Sequence, residues 1–67
     1  MTTVAEVQRR VAEIAAMADD EERAHAAEDQ LHQHVLWSIA HGQAEDARRL
    51  AEAALTTREI KFRRWCA

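Results

Sequence analysis

The sequence contains no proline, no tyrosine, one glycine and one cysteine, and its only phenylalanine and tryptophans are Phe62, Trp37 and Trp65. Without proline, the strongest helix breaker is missing. With Gly42 as the sole glycine, a glycine-rich phosphate loop is excluded. The lone Cys66 excludes an intrachain disulfide and a cysteine-rich zinc site. It stands one residue from the end, which is not the fourth-from-last placement of a prenylation signal. No apolar run approaches the ~20 residues of a membrane span, and the N-terminus lacks the apolar stretch of a signal peptide. The expectation is a cytoplasmic protein with no membrane partner.

What is present is helical periodicity. Leu31, Val35, Ser38 and Ile39 precede Gly42 at helix spacing, and Ala44, Ala47, Leu50, Ala51, Ala54 and Leu55 follow it. Glycine reaches positive φ at low cost, so Gly42 is expected to end one helix and turn the chain into the next. His41 suits the last carbonyls of the first helix, and Glu45 and Asp46 are expected in the first turn of the second.

Upstream, Val4, Val7, Val11, Ile14 and Ala18 form an apolar stripe behind the capping-box pair Thr3 and Glu6. Continuing that register would place Glu21, His25, Glu28 and His32 in the core. The actual stripe, Ala24, Ala27, Leu31, Val35 and Ser38, lies on a shifted phase. A break is therefore expected near Asp19, where Asp19 and Glu22 again have capping-box spacing. The alternative is one continuous helix through residues 3–41. Thr56 to Glu59 offers a third such spacing, against continuation of the last helix to Trp65 with Ala51, Leu55, Phe62 and Trp65 on one stripe. Continuation is the preferred reading. The expected fold is all-α: a single-domain three-helix bundle, with helices near 3–18, 20–41 and 43–64, built on an antiparallel hairpin turning at Gly42.

The segment from Gly42 through Ala47, Leu50, Ala51 and Ala54 to Leu55 resembles the second helix of a tetratricopeptide repeat, with its turn glycine and small residues at fixed offsets. The preceding helix departs from that pattern at Val35 and Ser38. No second copy occurs, whereas a solenoid needs about three. The resemblance implies a helical hairpin and not that family's peptide binding. The alanine-rich, arginine-over-lysine composition and the ending Thr-Arg-Glu-Ile-Lys-Phe-Arg-Arg-Trp-Cys-Ala resemble small proteins of unknown function from high-GC actinobacteria and their phages. That resemblance implies no activity.

Charge is uneven. Residues 1–57 carry five arginines against eleven acids, a balance of −6, and residues 58–67 carry four bases against Glu59, a balance of +3. The function expected is a non-enzymatic protein interaction module, a regulator or inhibitor docked on a larger protein. A homodimer is expected as well, because a chain this short has a thin core. Partner contacts are expected at His34, Trp37 and His41, which share the second face of the middle helix, and at Arg58, Lys61, Phe62, Arg63, Arg64 and Trp65. Phe62 and Trp65 could equally finish the core. Arg63 and Arg64 are read as surface contacts, so replacing both by alanine is expected to leave melting nearly unchanged.

The alternative function is nucleic-acid binding by the basic, aromatic C-terminal segment, opposed by the acidic body. His25, Glu28, Asp29 and His32 lie on one side of the middle helix, and Glu22 and His25 have the spacing used in di-iron bundles. The other helices offer no inward histidine. The expectation is a solvated rim in which Glu28 and His32 pair, with no metal, no cofactor and no catalytic residue.

Overall fold

The computed structural model describes residues 1–64, and three helices make up the bundle. They are α1 (Val4–Ala16), α2 (Glu21–Ala40) and α3 (Ala47–Leu55), followed by a 3-10 turn at Thr56–Glu59. No strand occurs among the described residues, only an isolated bridge between Thr2 and Ala44. No helix among them is long and apolar enough to cross a membrane.

Each helix begins on a side-chain cap. Thr3 Oγ1 accepts from the Glu6 N–H at 3.1 Å, Asp20 Oδ1 from Arg23 N–H at 3.2 Å, and Asp46 Oδ1 from Arg49 N–H at 3.0 Å. The break between α1 and α2 is present, and its cap is Asp20 rather than Asp19. Gly42 has φ +68° and ends the α2 segment, as the hairpin requires.

The third helix departs from expectation at both ends. It begins at Ala47, not residue 43, so Glu45 and Asp46 precede its first turn. Asp46 caps it, and Glu45 is used elsewhere: its Oε1 accepts from the Val4 N–H at 3.0 Å, capping α1 across the fold. Two backbone bonds fix that crossing. Thr2 N–H donates to the Gln43 carbonyl at 2.7 Å, and Glu45 N–H to the Thr2 carbonyl at 2.9 Å.

At the other end α3 stops at Leu55 instead of running to residue 64. The adjacent threonines explain the stop. Thr56 Oγ1 donates to the Ala53 carbonyl at 2.6 Å and Thr57 Oγ1 to the Ala54 carbonyl at 3.1 Å, and such local bonds compete with the helical ladder. The chain then turns extended at Ile60 (φ −76°, ψ 128°).

Val4, Val7 and Ile14 of α1, Ala24, Leu31 and Val35 of α2, and Leu50 and Ala54 of α3 form the buried core. These are the residues of the expected stripes. Ile60 and Phe62 pack against the core from the tail, not from a helix.

Candidate functional site

Helix α2 is long enough to bury one side against both neighbours and leave the other uncovered. Its inward residues, Ala24, Glu28, Leu31, Val35 and Ser38, recur at spacings of three and four. The opposite ridge ends in Leu36, 67% exposed, and Trp37, 52% exposed. Successive residues on a helix turn by about 100°, so these two look to different sides of the ridge.

Trp37 looks toward the N-terminus of the chain. Its ring lies nearly parallel to those of His41 (centroids 4.4 Å apart, 21°) and His34 (6.5 Å, 10°). The three rings form one wall of an open cleft of about 480 Å3, with Met1, Thr2 and Glu6 opposite. His41 is held in place by its Nδ1–H, which donates to the Trp37 carbonyl at 2.8 Å. His34 Nε2 sits 3.2 Å from Thr2 Oγ1 and 3.5 Å from Glu6 Oε2. Thr2 Oγ1 is in turn 2.7 Å from Ser38 Oγ, and both residues are buried. Thus the expected grouping of His34, Trp37 and His41 exists as a stacked array. Its anchor, the Thr2–Ser38 bond, was not visible in the sequence, where Ser38 read only as a small residue on an apolar stripe.

Leu36 looks the other way, across a groove of about 230 Å3 between α2 and α3. Val35, Ile39, Ala51 and Ala54 line it, and Leu55, 62% exposed, stands on its far rim. The alanines of α3 keep the groove open, because no larger side chain fills the space between the helices. Sequence reasoning placed Leu55 on a stripe with Phe62 and did not single out Leu36. Ending α3 at Leu55 separates it from Phe62 and leaves it exposed.

The basic tail is arranged differently from expectation. The Arg64 guanidinium turns inward instead of standing free, and its side chain is 24% exposed. Its Nε and Nη2 donate to the two Glu28 oxygens at 2.8 and 3.0 Å, a bidentate pair. Nη2 also reaches the Thr57 carbonyl at 2.7 Å and the Ile60 carbonyl at 3.2 Å, and Nη1 reaches the Phe62 carbonyl at 3.2 Å. The guanidinium carbon lies 4.0 Å from the Phe62 ring centroid. Glu28 is only 3% exposed.

Burial pushes the Glu28 carboxyl up. Hydrogen bonds from Arg64 and Thr57, with the positive charges of Arg64 and His32, outweigh it and hold the group below the usual carboxylate range. His32 Nε2–H donates to the Ala54 carbonyl at 3.1 Å and Thr57 Oγ1 at 3.0 Å, so it joins this network from the side. The solvated Glu28–His32 rim is therefore corrected to a buried polar junction. His25 pairs with Asp29 outside it, at 3.6 Å.

Of the other tail residues, Arg58 and Lys61 are exposed and Phe62 is partly buried against the core. Arg63 donates its backbone N–H to Glu21 Oε2 at 2.9 Å. Trp65 lies outside the described residues.

All four large exposed apolar residues among those described border the two hollows beside α2: Met1 and Trp37 one, Leu36 and Leu55 the other. No family model, curated protein or solved structure matches this chain.

Proposed function

We propose that the chain is a non-enzymatic protein interaction module that binds through the exposed ridge of α2 and the apolar groove beside it. The supporting observation is the clustering of Leu36, Trp37 and Leu55 around one helix while the buried polar groups are partnered internally. A protein partner suits this surface, because aliphatic and aromatic side chains with few charges mark the centre of protein interfaces. The nucleic-acid alternative draws less support. Arg64, central to the basic segment, spends its guanidinium on Glu28 and three carbonyls.

Site-specific photo-crosslinking tests the reading. A photoreactive residue at Leu36 or Leu55 should form protein adducts in a lysate of cells producing the chain. One at exposed Arg9 or Glu13 on α1 should not. Equal labelling from both faces, or none, would refute the assignment.

A further inference from the structure

We infer that the occupant of the α2–α3 groove is a second copy of this chain, placed by a two-fold axis that lies in the plane of the contact and crosses the groove near Leu36 and Leu55. The inference rests on the interaction reading above and names its partner.

Self-complementarity supports it. The groove takes an aliphatic side chain, and the two residues on its rims are leucines that project from the surface. In an isologous contact, a two-fold axis lets each copy insert its rim leucine into the groove of the other.

Charge supports the same arrangement. Asp29 lies on α2 two turns before Leu36, about 10 Å along the helix. Arg48 lies on α3 about two turns before Leu55, and α3 runs back along α2. The acidic and basic residues thus flank opposite ends of the apolar centre. A two-fold axis reverses the groove and carries Asp29 of each copy toward Arg48 of the other. Both side chains are open to such a contact, being 58% and 88% exposed and paired among the described residues with i,i+4 neighbours, His25 and Glu52.

Sedimentation equilibrium across a dilution series from about 1 μM to 1 mM reads the outcome. The parent chain should reach twice the monomer mass. Leu36→Asp should weaken dimerisation roughly 30-fold or more, on the scale of a hot-spot residue. Circular dichroism should show its helicity unchanged, since Leu36 is largely exposed. Leu55→Asp serves as the second variant if Leu36→Asp loses helicity. Asp29→Arg and Arg48→Asp should each weaken the dimer, and the double exchange Asp29→Arg/Arg48→Asp should recover most of the loss.

A parent chain that stays monomeric throughout overturns the inference, as does a dimer that neither leucine variant weakens. A double exchange no tighter than the single variants overturns the two-fold placement. Monomeric behaviour with adducts from Leu36 to a different protein removes the second copy but leaves the interaction reading standing. Monomeric behaviour with no face-specific adducts removes both.

Discussion

Replacing Arg64 by alanine leaves Glu28 buried among α2, the 3-10 turn and the tail with its principal partner gone. Breaking one side of a buried ion pair costs about 3–5 kcal/mol when the remaining charge stays buried. Protonation limits that cost. At pH 7, neutralising a carboxylate of ordinary pKa near 4.3 takes about 3.7 kcal/mol, and relaxation of the tail admits water and lowers it further. The Thr57, Ile60 and Phe62 carbonyls lose a charged donor as well, but they can turn to solvent with the tail. The expected loss is therefore about 2–4 kcal/mol. A domain of this size has only about 3–5 kcal/mol in hand, so Tm should fall by roughly 15–30 °C. Urea titration followed by circular dichroism measures the loss. Arg9→Ala, which removes an exposed charge on α1 away from the groove, should stay within about 0.5 kcal/mol of the parent. Arg64→Lys should fall between, because it keeps the charge but not the bidentate fork. In a double-mutant cycle, Glu28→Gln/Arg64→Met should be less damaged than the sum of its single variants. A loss below about 1 kcal/mol for Arg64→Ala, or additive single variants, would refute the buried junction. The surface reading of Arg64, with melting nearly unchanged, predicts that refuting result.

Acid should act through the same pair. The folded Glu28 carboxyl sits below its unfolded value, so its stabilisation is complete above the ordinary carboxylate range and is lost as pH falls through the depressed native value. Urea midpoints measured from pH 6 to pH 2 should fall less steeply for Glu28→Gln than for the parent. Gly42→Ala should cost about 1 kcal/mol from backbone strain at φ +68°, with no clash, since nothing lies within 4 Å of the added carbon; thermal melting checks it. Ser38→Ala should cost about 1–2 kcal/mol by denaturant titration, because it deprives the buried Thr2 hydroxyl of a partner.

Local features carried most of the fold into the sequence. The three apolar stripes, the change of register before α2 and the turn at Gly42 each depend on residues within a few positions, where helix period and glycine conformation act directly. The long-range polar contacts were not legible. Glu45 reads as a first-turn acid of α3 because that role is local. Its actual bond is to Val4 at the start of the chain. The Thr56–Glu59 capping-box spacing marks an interruption, but the stripe of Ala51, Leu55, Phe62 and Trp65 favours continuation. Two hydroxyl bonds to α3 carbonyls decide the matter. Once the helix ends there, Phe62 and Arg64 approach the core by an extended path with a two-residue alternation, and Lys61 and Arg63 between them are exposed. A helical reading of the tail cannot yield that arrangement. Of the proposed contact residues, His34, Trp37 and His41 were legible because i−3 and i+4 neighbours always share a helix face. The exposure of Leu36 and Leu55 depends on where α3 stops.

The distribution of polarity bears on why those leucines stay outside. Thr2, Glu28, Ser38 and Thr57 occupy interior positions, and each is bonded there. Leu36, Trp37 and Leu55 occupy exterior ones. Burying a leucine contributes about 1.5–3 kcal/mol, a large fraction of the stability of so small a domain. Selection for folding alone would draw these side chains inward or replace them with charged helix formers. A single exposed leucine would call for no explanation. Here two leucines face each other over an unfilled apolar groove, and a tryptophan stands on the adjoining ridge. A second surface placed on that groove recovers the burial that the monomer forgoes. Stability and association are then coupled: Tm of the parent should rise with protein concentration, because a dimer is stabilised by mass action. Leu36→Asp should lose that dependence while melting close to the dilute parent. Melts at about 5 and 500 μM that coincide for the parent would break the link between the exposed leucines and association.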